Sequence, residues 1–525
     1  MRDFHLPGRS PVLAETGMCA ASHPLAALTA LDTLRRGGNA VDAAIAAAAT
    51  LGVCEPHMCG LGGDAFALVS PAGSDEIRAL NGSGRAASGA HAAELRGRGL
   101  AAIPLDGVEA VTTPGAVDAF CRLSGEMGRL GLADTLGPVI ALFEAGVPVA
   151  PRAAHDWAGL GDKLKGAARE VYLNGGRPYR VGERLALPGQ AEVLRRVAAE
   201  GRAGFYEGPV AEDVLATLAA RGGTHTAEDL ARTVSDWHAP VSAAYRDVEI
   251  VEHPPNGQGA TALLMAGILS HFDMAALDPW GAPRAHLEAE AARLAYDARD
   301  RFLADPDHAA RLDHMLAPET ARRLAALIDP ARATAPLVER AEAVHRDTVY
   351  VTVVDRDRMA VSLIYSLFHG FGSGIATDRY GIVLHNRGAG FTLAEGHPNE
   401  MAPGKRPMHT IIPGMLRRDG RVVMPFGVMG GQYQPAGHVR VVGNMVDHGL
   451  DPQEAIDGPR SFPEGGTLQV ERGYGDGVRT ALAGMGHRVA VPDGPLGGAQ
   501  AIRIDPAGYL EGASDPRKDG CALGY

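Results

Sequence analysis

The sequence predicts an α+β fold, with helices gathered in the first two thirds of the chain and strands in the last third. Two observations carry this. From about residue 115 to 345 apolar residues recur at helical spacing, and from Thr348 onward the texture changes to short alternating strands. There is also no internal repeat, no long low-complexity tract and no break that reads as a domain joint. The polar, glycine-rich stretches near 173–176 and 219–226 look like surface turns.

The elements follow in chain order. Pro24 suits a first helical turn, Leu25, Leu28, Leu31 and Leu34 recur at spacing three, and Gly37-Gly38 ends the helix. A second helix is expected over 41–51. The alanine-rich run 40–53 falls short of the ~20 residues of a membrane span and contains Asp42, so it reads as a buried helix. Pro and Gly punctuate a tight loop over 55–64, which feeds a strand at 65–70. Further on, Leu287, Ala291, Leu294, Ala295 and Ala298 form one apolar face of a helix at 285–303. Segments 348–354 and 359–367 form a hairpin around the turn Asp355-Arg356-Asp357-Arg358. Short strands are expected at 381–385, 410–412 and 421–424, then a helix of small and apolar residues after Pro435.

Length alone allows two to four domains and a substantial core. A net charge of -12 with a pI near 5.9 argues against nucleic acid or an anionic membrane as partner, since both select basic surfaces. Five cysteines without a metal-type pair fit free thiols in a reducing compartment. The first residues carry an early acid and proline, and no apolar core follows before residue 22; a cytoplasmic protein is the expectation.

The strand at 348–354 begins with a threonine. On pattern alone Thr348 is a β-former opening a strand. If the Asp347–Thr348 bond is cut, however, Thr348 presents a hydroxyl nucleophile beside its own α-amine, whose reference pKa of roughly 7.7 to 8.0 leaves a useful unprotonated fraction near neutrality. Other chemical signals are weak. Gly60-x-Gly62-Gly63 lacks the lysine ending of a phosphate loop, the 20 histidines show no metal-ligand spacing, and Ser362 and Ser366 lack a nucleophile elbow. Neither a metal nor a cofactor is expected.

The flanking motifs weigh between these two readings of Thr348. The hairpin and its glycine loop Gly370-Phe371-Gly372-Ser373-Gly374 resemble the start of the small subunit in the γ-glutamyltranspeptidase family. Also in that family's order are Ser22-His23-Pro24, Gly37-Gly38-Asn39-Ala40-Val41-Asp42, Pro56-His57-Met58-Cys59-Gly60-Leu61-Gly62-Gly63-Asp64, Pro254-Pro255-Asn256-Gly257-Gln258-Gly259, Pro403-Gly404-Lys405-Arg406-Pro407 and Met429-Gly430-Gly431. The resemblance implies an N-terminal-nucleophile hydrolase with a four-layer αββα sandwich. It implies self-cleavage at Asp347–Thr348 into a large piece, 1–347, and a small piece, 348–525, intertwined in one domain. Thr348 would be the nucleophile, Gly430 and Gly431 the oxyanion donors, and Ser366 would stand where the family has a threonine contacting the catalytic amine.

The expected acyl site departs from the family. Ser83 stands where γ-glutamyl enzymes have an arginine for the substrate carboxylate, with Arg85 displaced by two positions. Gly390 replaces an aspartate for the amino group, Phe368 an asparagine, and His409 and Thr410 a pair of serines. Losing both charged anchors forfeits several kcal/mol, since charge-assisted hydrogen bonds are worth about 1.5 to 3 kcal/mol each. Arg387, where the family has a glutamine, adds a cation beside Asn386 whose planar fork suits a carboxylate. A small carboxylate-bearing amide fits this set, and the pattern resembles the oxamate amidohydrolase branch. Glutathione as donor, carbon–carbon cleavage releasing an oxalyl fragment, and a non-processing binding protein are the alternatives. The expected partners are a small-molecule amide and the two pieces of the precursor, with a homodimer of such heterodimers left open.

Overall fold

The computed structural model describes residues 5, 8–309, 311–334 and 348–525. Two seven-stranded sheets lie face to face between helical layers. From one edge to the other, the first sheet runs Cys521–Gly524, Met18–Ala21, Val349–Val354, Ala360–Ser366, Asp64–Ser70, Arg78–Gly82 and Asp236–His238. The second runs Val12–Ala14, Leu510–Ser514, Gly498–Ile504, Arg421–Met429, Gly414–Arg418, Val248–Glu252 and Val241–Tyr245. Each sheet thus takes strands from both sides of position 347.

Alternation along the strands builds the layers. Val349, Val351, Val353, Leu363 and Tyr365 face outward, into a core shared with the helices Pro24–Arg35 and Ala40–Cys54. Burial of each such valine or leucine contributes about 1.5–3 kcal/mol. The alternate residues Tyr350, Ile364 and Phe66 face the second sheet and meet Ile411 and Met429 there. On the far side the second sheet packs against Gly259–Leu269, Ala282–Phe302 and Gln434–Val446. This is the four-layer αββα sandwich.

The helix Ala40–Cys54 is buried at every position. Asn39 and Asp42 form a capping box at its start, and Asp355, at the end of the hairpin's first strand, accepts from the Ala40 N–H. The helix after Pro435 and the one expected over 285–303 are present as Gln434–Val446 and Ala282–Phe302. Two expected strands are not. Segment 381–385 makes only isolated bridges, Val383 to Ala376 and Leu384 to Gly62, and 410–412 follows a lone bridge between His409 and Gly257. Each touches a different segment at each residue, so no ladder propagates. The mainly helical middle also contains the strands Asp236–His238, Val241–Tyr245 and Val248–Glu252. No helix among the described residues is long and apolar enough to cross a membrane, and all five cysteines are free.

Candidate active site

Strand register assembles the site. Val349 pairs with Tyr365, so the preceding residue, Thr348, lies opposite Ser366, and Ser366 pairs with Asp64 on the next strand. All three fall on the face that carries Tyr350, Ile364 and Phe66, looking toward the second sheet. Thr348 Oγ1 lies 3.2 Å from Ser366 Oγ. Ser366 Oγ also accepts from the Phe368 N–H at 2.9 Å and from Arg387 Nη2 at 3.2 Å.

Arg387 is wholly buried, in the short 3₁₀ turn Arg387–Gly390. Its Nη1 donates to Thr410 Oγ1 at 2.9 Å, its Cζ sits 4.1 Å from the centre of the Phe368 ring, and its Nε has no partner among the described residues. Burial pulls its pKa down to about 9, opposed by the charge of Asp64, so it is a cation at neutral pH. Its fork therefore ends on two hydroxyls in a desolvated place, where an unpaired charge costs several kcal/mol.

Asp64 anchors the floor. Its Oδ1 accepts from the Gly84 and Gly115 N–H groups at 3.1 Å each, and its Oδ2 lies 3.1 Å from His409 Nε2 and 3.9 Å from His385 Nδ1. Burial alone would push its carboxyl up, but His385, the hydrogen bond from His409 and the Arg387 charge bring it down to about 2. Burial also holds His409 at about 3 and His385 below its ordinary value, so both rings are neutral at pH 7. At that pH the hydrogen bonds and Arg387 keep Asp64 ionised. The sign for stability follows: the unfolded chain binds the Asp64 proton below about pH 3.9, and the folded one only near 2. Stability from this carboxylate is complete above about pH 4 and lost as pH falls through 2, worth about 2 kcal/mol. His409 adds a loss of the same sign from about pH 6.5 downward. Urea midpoints measured from pH 4 to pH 2 should fall less steeply for Asp64→Asn than for the wild type; parallel curves would remove Asp64 from the account.

The oxyanion candidates end a strand of the second sheet. Met429 packs in the cluster of Tyr350 and Ile364, and Gly430 and Gly431 follow with φ of 119° and 55°. A Cβ on Gly430 would come within 2.8 Å of the Gly497 Cα, so this turn requires glycine. Gln258 braces it, donating to the carbonyls of Gly431 (3.0 Å) and Thr410 (2.7 Å) while accepting from Arg299 (2.8 Å).

The structure thus brings together Thr348, Ser366, Arg387 and Thr410, with His409 joined to them through Asp64. Asn386 is placed differently: its amide donates to the Leu105 carbonyl (2.9 Å) and its Oδ1 accepts from the His369 N–H (3.1 Å), fixing the loop that carries Arg387. The half-buried Arg85 turns away, toward the Gly404 carbonyl (3.1 Å), Asp305 (3.4 Å) and Asp236 (3.8 Å). Asp347 lies outside the described residues. Asp64, Gln258 and Asn256 have no assigned role in the sequence reading, although all three sit in its motifs; Asn256 accepts from Asn81 (2.8 Å) and donates to the Pro407 carbonyl (2.7 Å).

Residues 26–525 match the family model described as Gamma-glutamyltranspeptidase. An oxamate amidohydrolase proenzyme of Klebsiella pneumoniae is 36% identical over 529 residues, covering 97% of this chain and 98% of its own length. A glutathione hydrolase-like proenzyme of Bacillus subtilis is 35% identical over 540 residues, covering 98% and 99%. The crystal structure of cephalosporin acylase from Bacillus halodurans has a TM-score of 0.93 at 37% identity, covering 100% of this chain and 99% of that one.

Proposed function

The chain belongs to the gamma-glutamyltranspeptidase family, and from that premise we propose that this enzyme cuts itself before Thr348 and then uses Thr348 to hydrolyse a small carboxylate-bearing amide of the oxamate kind. In the first reaction Thr348 Oγ attacks the carbonyl carbon of residue 347 and the C–N bond breaks. The freed nitrogen takes a proton, and the acyl group rests as an ester on Oγ. Water then hydrolyses the ester, giving pieces 1–347 and 348–525 and a free α-amine on Thr348. Because strands of both pieces are hydrogen-bonded to one another in both sheets, the pieces remain one body after scission.

The mature site repeats the chemistry. The α-amine accepts the hydroxyl proton as Oγ attacks the substrate amide carbon, and the N–H groups of Gly430 and Gly431 hold the oxyanion. The C–N bond breaks, the amine leaves with the proton, and water releases the acid. For oxamate the sum is the oxamate anion plus water to oxalate plus ammonium. The proposed chemistry calls on no cofactor, and its partners are the two pieces of the precursor and the small substrate, with a homodimer of such heterodimers left open.

The observation that carries the substrate reading is Arg387: a buried guanidinium bonded to Ser366, which itself touches Thr348, with hydroxyls as its partners. A carboxylate next to the scissile carbonyl would meet this fork bidentately. The anchors of a γ-glutamyl head are missing nearby. Ser83 is engaged with Asn81 at 2.7 Å, and a Cβ at Gly390 would lie 2.5 Å from the Met408 carbonyl oxygen, so an aspartate has no room there. The test compares kcat/KM for oxamate, glutathione and a γ-glutamyl anilide. Oxamate should be favoured by about tenfold or more, a difference of about 1.4 kcal/mol. Faster turnover of the γ-glutamyl compounds would overturn the reading.

A further inference from the structure

In the helical layer behind the second sheet, His286, Glu290 and His487 each offer a ligand atom within 4.8 Å of the others. His286 and Glu290 stand one turn apart on one face of the helix Ala282–Phe302, while His487 follows the helix Asp476–Gly484. The first two are buried and the third is half-buried.

The second ring nitrogen of His286 decides its chemistry. His286 Nε2 lies 2.8 Å from the Asp329 carbonyl oxygen, to which it donates, so Nδ1 carries the lone pair and points at His487 Nε2, also at 2.8 Å. A backbone carbonyl on the outer nitrogen is how metal-binding histidines are oriented. The Thr334 hydroxyl (2.6 Å) and N–H (3.3 Å) and Arg293 Nη2 (3.0 Å) all bond to Oε2 of Glu290, and Oε1 takes none of these bonds. Glu290 and His487 also line a cavity of about 410 Å³, which leaves water a fourth position.

We infer that His286 Nδ1, His487 Nε2 and Glu290 bind one divalent transition-metal ion of the zinc class. Two imidazole nitrogens and a carboxylate are a borderline-soft donor set that suits zinc, and three protein ligands plus water complete a tetrahedron. Zinc–nitrogen bonds of about 2.0–2.1 Å set the two nitrogens about 3.3 Å apart in that geometry, so the rings separate by about half an ångström on binding. The proton between the rings passes to His487 Nδ1. The ion would join the helix at 282–302 to the segment around 487, on opposite sides of position 347. The ligand set shares no residue with the proposed catalytic chemistry, and the inference does not depend on it.

Chelator-stripped protein titrated with zinc by calorimetry should bind one ion per chain, and cobalt(II) in its place should develop the visible absorption of a tetrahedral site. His487→Gln, at a half-buried position where folding is least at risk, and Glu290→Gln should each weaken zinc binding by about tenfold or more. Wild-type protein that binds no zinc, or binds it no more tightly than both variants, would overturn the inference.

Discussion

Thr348→Ala should yield a single, stable chain of 54.7 kDa that neither splits nor turns over substrate. The variant deletes Oγ1, which both proposed reactions use, and leaves the fold intact: Thr348 precedes the strand Val349–Val354, whose ladder and apolar burial do not involve its hydroxyl. The 3.2 Å hydrogen bond between Oγ1 and Ser366 disappears with the hydroxyl, a cost of about 1 kcal/mol. Removing the nucleophile of an acyl-transfer site lowers kcat by a factor on the order of 10⁶. Thr348→Ser keeps an attacking oxygen and should still process, more slowly. A Thr348→Ala chain that appears as two bands, or that retains turnover, contradicts the assignment.

Arg387→Gln has the second largest expected effect, and it acts on recognition rather than on chain scission. The substitution removes the buried charge and its two terminal donors, on Ser366 and Thr410. Charge-assisted bonds to a substrate carboxylate contribute about 1.5–3 kcal/mol each, so kcat/KM for a carboxylate-bearing amide should fall by roughly a hundredfold. Stability should change little, because the desolvation cost of the buried guanidinium disappears together with the charge that helps to keep Asp64 ionised. Arg387→Lys should not rescue the loss, since an ammonium cannot reproduce a planar fork lying over the Phe368 ring. Unchanged kinetics in Arg387→Gln would place the substrate elsewhere.

How much could be read in advance depended on the range of the interaction. The central hairpin was legible because Val349, Val351 and Val353 alternate with Tyr350 and Thr352 and the partner strand repeats the pattern; local periodicity suffices when the neighbour is only a turn away. The strands Val12–Ala14, Met18–Ala21, Leu510–Ser514 and Cys521–Gly524 were not legible. They are short, rich in Ala and Gly, and pair with segments from the other end of the chain, as Val12 does with Gly512. Segments 381–385 and 410–412 show the converse failure, apolar runs without a continuing partner.

The site divides along the same line. Thr348, Ser366 and the glycine pair were visible as motif positions. The work of Asp64 was not, because its partner His409 is 345 positions away and meets it only through the fold. Arg387 could be read from its residue type as a carboxylate fork or as a solvent-facing loop residue, and burial beside Ser366 places it inside. Arg85 shows the reverse: proximity in sequence to the expected anchor did not carry its side chain there, because Asp305 and Asp236 hold it.

The most direct test of the central claim is intact-mass measurement of the purified protein with sequencing of its new amino terminus. Cleavage before Thr348 predicts two polypeptides of 347 and 525 − 347 = 178 residues, the smaller beginning at Thr348 with a free amine. One uncut chain that hydrolyses substrate at full rate would contradict it.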